Sequence, residues 1–154
     1  MNVAGYGEAL AAALEVEVRP GFVVPVASLP GLAILKLFAW ADRGTETPKD
    51  ALDLAMVLRS YGAAGNEDRL FGEEIGLLEA LNYDLDLAAP RLLGQDAARV
   101  TAPATRESIV ALLDNDERLD RLIRDMARVF RGAEDPVAAA EVAIGQFKAG
   151  LLET

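Results

Sequence analysis

Cysteine and histidine are both absent from this 154-residue chain. Without them there is no disulfide, no thiol nucleophile, no zinc site of the usual kind and no histidine-dependent acid–base scheme. A Ser-His-Asp hydrolase is excluded for the same reason. Long apolar runs are missing too. The longest candidate, around Leu29 to Ala41, is broken by Lys36 and falls short of the roughly 18 residues that suggest a membrane span, so no membrane partner is expected. The first residues hold no basic segment followed by an apolar stretch, so no secretory leader is read and a cytoplasmic location is the default expectation. Positive charge is scarce: 15 Lys and Arg stand against 25 Asp and Glu, a net charge of −10. That argues against a broad basic face for nucleic acid. The acidic excess is uneven, with 5 basic and 7 acidic residues through Gly65 and 10 and 18 beyond it. The first part can therefore still hold a small basic pocket.

What is present is enough apolar material, 52% of the chain, for one compact core. Residues 2–13 read as a short alanine-rich helix. Leu14-Glu15-Val16-Glu17-Val18 then alternates with the period of a half-buried strand. Arg19-Pro20-Gly21 supplies a turn, and Phe22 to Val26 is a second strand. A lone strand pair is marginal, so it is expected to be completed from outside the chain or covered by the helices that follow. Its unpaired edge invites a second copy or another partner.

From Ser28 the signals are helical. Ser28 caps a first helix with Pro30 in its first turn, ending at Arg43-Gly44. Thr47 and Pro48 open a second, running to Tyr61-Gly62. A third is expected within 66–81, weakened by Gly72 and Gly76, and a fourth near 85–100, interrupted by Pro90 and Gly94. Thr101 to Ala104 reads as a linker. Leu119, Leu122, Ile123, Met126, Val129 and Phe130 form one apolar stripe. Val137, Ala140, Ile144, Phe147 and Leu151 form another behind the cap Asp135, and both are assigned to the core. Glu117–Arg121 and Asp120–Arg124 have the spacing of surface ion pairs. The fold class is thus α+β and mostly α, a short N-terminal strand pair followed by a helical bundle.

One cluster is placed to do chemistry. Lys36, Trp40 and Arg43 share a face of the first long helix, while Lys49, Asp50 and Asp53 open the second. A short connection folds the two as a hairpin. Two readings stay open. The cations can bind phosphate, with an aspartate orienting it. Equally, Arg43 can fork onto Asp50 or Asp53 in an ion-pair network that merely locks the hairpin. Asp114-Asn115-Asp116 opens like a calcium loop, but Leu119 stands where glycine is needed and Asp125 where a bidentate glutamate is needed.

The run Val24-Pro25-Val26-Ala27-Ser28-Leu29-Pro30-Gly31-Leu32-Ala33-Ile34-Leu35-Lys36-Leu37, then Ala39-Trp40-Ala41-Asp42-Arg43, then Lys49-Asp50-Ala51-Leu52-Asp53-Leu54, resembles nucleotidyltransferases of the AbiEii and minimal-nucleotidyltransferase kind. Leu92-Leu93-Gly94-Gln95-Asp96 is similar to one branch of that family. The resemblance implies transfer of a nucleotide from an NTP to an acceptor such as RNA or protein, with Mg²⁺, in a toxin–antitoxin setting. It implies Lys36 as the phosphate-contacting lysine. Asp53, in preference to Asp50, would be the acidic residue completing the site, with Arg43 and Lys49 as supporting nucleotide-binding residues. Residues 1–65 would be the C-terminal remnant of the nucleotidyltransferase core and 66–154 a helical region packed on it.

The family's Gly-Ser turn and acidic strand pair, which ligate the metal, do not occur in these 154 residues. Glu15 and Glu17 have the acid-x-acid spacing without the turn, and no metal ligand is assigned. The expectation is accordingly a C-terminal half, inactive as an isolated chain. Its partners would be NTP, an antitoxin, a separate catalytic half or a second copy. A non-catalytic NTP-binding remnant or a helical interaction module is the alternative.

Overall fold

A computed structural model describes residues 5–153 of the chain. The element order is α1 (Tyr6–Ala11), β1 (Leu14–Arg19), β2 (Phe22–Val26), α2 (Leu29–Arg43), α3 (Lys49–Ser60), α4 (Glu67–Phe71), α5 (Ile75–Ala80), α6 (Leu85–Val100), α7 (Pro103–Leu113), α8 (Asp116–Met126) and α9 (Pro136–Leu152). This is the α+β, mostly helical arrangement read from the sequence. Residues 2–4 of the expected first helix lie outside the described residues.

The strands pair antiparallel, Leu14 facing Val26 and Val16 facing Val24. Gly21 supplies the left-handed turn residue, with φ of 75°, and the Glu17 carboxylate accepts its N–H at 2.7 Å. Glu17 therefore staples the hairpin. The expected half-burial does not hold, because every residue of β1 is exposed. Nothing in the described chain covers the face formed by Leu14, Val16, Val18 and Val26.

The helices close around one continuous core that includes Ile34, Leu37, Trp40, Leu54, Leu58, Leu92, Leu122 and Phe147. Ser28 caps α2 by accepting the Gly31 N–H, and Thr47 accepts the Lys49 N–H at the start of α3. Gly44 ends α2, but its φ of −63° is right-handed. Glycine is needed there because a Cβ would meet the Trp40 carbonyl oxygen at 2.5 Å.

Several boundaries differ from expectation for physical reasons. The helix expected over 66–81 is two short ones, since the backbone at Gly72 (φ −116°, ψ −102°) breaks the spiral. The segment 85–100 is one unbroken helix through Pro90 and Gly94. Gly94 is a contact point: a Cβ on it would meet the Phe147 carbonyl oxygen at 2.1 Å, and one on Gly150 would meet the Arg91 carbonyl oxygen at 2.1 Å. The two backbones of α6 and α9 cross where neither helix carries a side chain. The linker expected at 101–104 instead starts α7, with Pro103 at its first position. In the apolar stripe of α9, Val137 is exposed while Ala140, Ile144, Phe147 and Leu151 are buried.

The crossing sets a prediction. Gly94→Ala forces α6 and α9 apart and costs about 1–3 kcal/mol, lowering Tm by about 5 °C for a chain of this size. Gly76→Ala, where a Cβ meets nothing within 4 Å, is neutral or raises stability by up to about 1 kcal/mol. Thermal unfolding followed by circular dichroism distinguishes the two.

Candidate functional site

The α2–α3 hairpin sets the geometry of the polar cluster. Side chains at 36, 40 and 43 rise from one stripe of α2 because those spacings return to the same face. The middle one, Trp40, is fully buried. Its indole N–H donates to Asp125 at 3.2 Å, and the Arg121 guanidinium lies 4.6 Å from its ring centroid. Trp40 thus pins α2 to α8 and holds Lys36 and Arg43 on either side of it.

Asp50 sits in the first turn of α3, where an anion also meets the helix's unsatisfied N–H groups favourably. It is 1% exposed. Arg43 forks onto it, Nε to Oδ2 at 2.7 Å and Nη2 to Oδ1 at 3.1 Å, and Lys36 Nζ donates to Oδ1 at 3.2 Å. The Arg43 hydrogen bonds, with help from Lys36 and against the cost of burial, hold the Asp50 carboxyl below its usual value of 3.8. Lys36 Nζ also donates to Asp53 Oδ2 at 2.5 Å. That bond, more than Asp50, raises the lysine's pKa above 10.5 and fixes it as a cation.

These contacts divide the cluster. Asp50 spends its carboxylate on the two cations and is sealed from solvent. Asp53 is 40% exposed and Lys36 22%, so this pair forms the open edge. An ammonium has three donors, and two of Lys36's go to aspartates, leaving one. Arg43 is 54% exposed and keeps its outer N–H edge. Lys49 does not join: it is exposed and makes no ion pair with Asp53 among the described residues. The structure therefore brings Lys36, Arg43, Asp50 and Asp53 together and leaves Lys49 apart.

A second cluster at the other end of α3 was not legible from spacing. Asp96 of α6, buried, accepts from Tyr61 at 2.6 Å, from Arg69 at 2.8 and 3.1 Å and from Arg99 at 2.7 Å. Burial pushes its carboxyl up, and the Arg69 and Tyr61 hydrogen bonds outweigh that, so the net shift is downward. The sequence marked Asp96 only as the end of the Leu92–Asp96 run and gave no link from it to Tyr61, Arg69 or Arg99. Tyr61 and Arg69 come from separate elements. This network lines a cavity of about 470 Å³ beside the start of α2. Its cations are balanced by Asp96 and Glu74, so it joins α3, α4 and α6 without surplus charge.

A cavity of about 720 Å³ lies between α3, α6 and α9 and is walled by Leu58, Pro90, Phe130 and Val142. It contains no member of either cluster, so size does not locate the chemistry. In the segment read as an incomplete calcium loop, Asp114 pairs with Lys148 at 2.5 Å and Asn115 caps α8.

Comparison with known proteins supplies one match. The family described as nucleotidyl transferase AbiEii toxin, type IV toxin–antitoxin system, matches residues 4–144. Among curated proteins and among solved structures nothing matches the chain.

The buried carboxylate makes acid the natural probe. Because the folded pKa of Asp50 lies below 3.8, the unfolded chain takes up the proton first as pH falls. The stabilisation is full above pH 3.8 and is lost as pH falls through the folded value; Asp96 acts in the same sense. Asp50→Asn leaves Lys36 and Arg43 uncompensated and costs about 3 kcal/mol at neutral pH. Its stability then declines less than wild type's between about pH 5 and pH 2. Urea titrations across that range check it, and parallel curves would show that Asp50 carries no linkage.

Proposed function

The chain belongs to the AbiEii nucleotidyltransferase toxin family, and from that membership we propose that the open edge of the α2–α3 hairpin handles the phosphates of a nucleoside triphosphate. The carrying observation is the Lys36–Asp53 pair beside a sealed Asp50. Such an arrangement presents a cation at a fixed position, and orientation is what phosphate chemistry asks of a protein.

In nucleotidyl transfer an acceptor oxygen attacks the α-phosphorus. A new P–O bond forms, the bond to the bridging oxygen breaks, and pyrophosphate leaves with the negative charge. Lys36 supplies a permanent positive charge and one free N–H toward that charge. Asp53 holds the ammonium and keeps it from swinging out. Arg43 offers its outer N–H edge as a second cation. Asp50 positions both by occupying their inner donors, so its own role is structural support of the site.

Magnesium is implied by the family's chemistry, and the cluster does not fit it. Asp50 is consumed by two cations, and no three Asp or Glu side chains converge anywhere among the described residues. The metal-dependent part of the reaction is left to residues outside this cluster. A separate catalytic half fits that division, as does a chain that binds nucleotide without turning it over. An antitoxin partner follows from the family's type IV toxin–antitoxin description.

The test is calorimetric titration of a nucleoside triphosphate with Mg²⁺ into wild type and Lys36→Met. Loss of one charge-assisted contact weakens binding by about tenfold or more. Asp53→Asn, which keeps the ammonium but loosens it, gives a smaller loss. Equal affinity in wild type and Lys36→Met, with both cooperatively folded, would return the cluster to an ion-pair lock.

A further inference from the structure

The chain's cations divide into those held by carboxylates and those that are not. Lys36, Arg43, Arg69, Arg91, Arg99 and Lys148 all stand in ion pairs. Arg19, Lys49 and Arg59 make no ion pair among the described residues, and the segment 118–131 gathers five more such cations. It holds Arg118, Arg121, Arg124, Arg128 and Arg131. Glu117 and Asp120 sit one turn before Arg121 and Arg124, where ion pairs were expected. Neither pair forms, and among the described residues no carboxylate lies within 4.0 Å of any of these guanidiniums.

Three of them frame one cleft. Asn115, Glu117, Arg118, Arg121 and Arg124 enclose about 240 Å³ beside α8. Three positive charges against one negative leave that cleft cationic in a chain of net charge −10. Arg121 is already oriented, stacked 4.6 Å from the Trp40 centroid, and its Nε is buried without an acceptor. A guanidinium held flat by an aromatic face keeps its N–H fork directed, which suits phosphate better than a flexible ammonium does. Successive arginines three residues apart step about 4.5 Å along the axis, so the cleft can take more than one phosphate group. Trp40 stands on the α2 stripe between Lys36 and Arg43, so the cleft and the hairpin cluster share this buried ring as a support.

We propose that Arg118, Arg121 and Arg124 form a second phosphate-binding site, supported by the same Trp40 that stands between Lys36 and Arg43 on α2. Its ligand is a phosphate chain: either the polyphosphate of a nucleotide or the backbone of a single-stranded acceptor. The choice of these two ligands rests on the nucleotidyltransferase reading, whereas the cleft's affinity for phosphate does not. Arg118 and Arg124 act as exposed ligands, and Arg121 sets the floor of the site.

Trp40 is the chain's one tryptophan and lies under Arg121, so its fluorescence reports an anion arriving there. The experiment titrates inorganic tripolyphosphate, and separately a short single-stranded RNA without a 5′ triphosphate, into wild type, Arg118→Gln/Arg124→Gln and Lys36→Met. Calorimetry accompanies the Trp40 signal. The expected result is a Trp40 response in wild type and at least about tenfold weaker binding in the double arginine variant, with a salt slope smaller by about one per arginine removed. Both substituted arginines are exposed and without ion pairs, so the variant keeps the wild-type melting temperature. Weakening of both probes assigns the shared site. Weakening of RNA alone assigns backbone, and of tripolyphosphate alone the nucleotide tail. Wild-type affinity for both probes in the double variant, or no binding of either by wild type, overturns the proposal. Lys36→Met separates the two claims: loss there with an unaffected arginine variant removes only this site, and the reverse removes only the Lys36 reading.

Discussion

The fold and the candidate site depend on one constraint, the burial of the Asp50 carboxylate between α2 and α3. A buried anion is tolerable only if its oxygens are paired. Asp50 meets that condition with a forked Arg43 and with Lys36, both from the facing stripe of α2. The register of the hairpin follows, because sliding α3 by a turn would leave the charge unpaired. Trp40 works from beneath on the same stripe, tying the hairpin to α8 through Asp125 and Arg121. Lys36 and Arg43 are thereby held by core packing and a buried ion pair, which a mobile loop could not supply.

Much of this was legible in the sequence, for identifiable reasons. Strict alternation located β1, the Ser28 and Asp135 caps located the starts of α2 and α9, and the 36/40/43 and 50/53 spacings placed the cluster on one hairpin edge. Local rules failed where tertiary packing overrode them. Gly94 reads as a helix breaker and is the crossing point of α6 with α9. Gly72 reads as a weak helical residue and is a break. Spacing also left the roles of the two aspartates open, since burial separates Asp50 from Asp53 and burial depends on which stripe of α2 faces α3. Tyr61, Arg69 and Asp96 converge from three elements, and no local pattern announces such a meeting.

The strand pair is the part of the structure least explained by its own chain. Alternation predicted one buried face, yet β1 is exposed throughout and its apolar residues meet no covering element among those described. The stapled turn at Glu17 and Gly21 and the cation–π contact of Arg19 with Phe22, 5.1 Å to the ring centroid, give the hairpin local order. The helices close around one core of their own, and the Lys36 cluster sits on that helical part.

In the proposed site Lys36, held by Asp50 and Asp53, touches nucleotide phosphate. The most direct measurement follows the Lys36 ammonium resonance in a ¹⁵N-lysine sample as a nucleoside triphosphate is added, with Lys148, paired to Asp114, as the internal reference. A saturable shift of Lys36 that tracks the bound fraction, while Lys148 stays still, is the expected result. An unmoved Lys36 at full nucleotide saturation would contradict it.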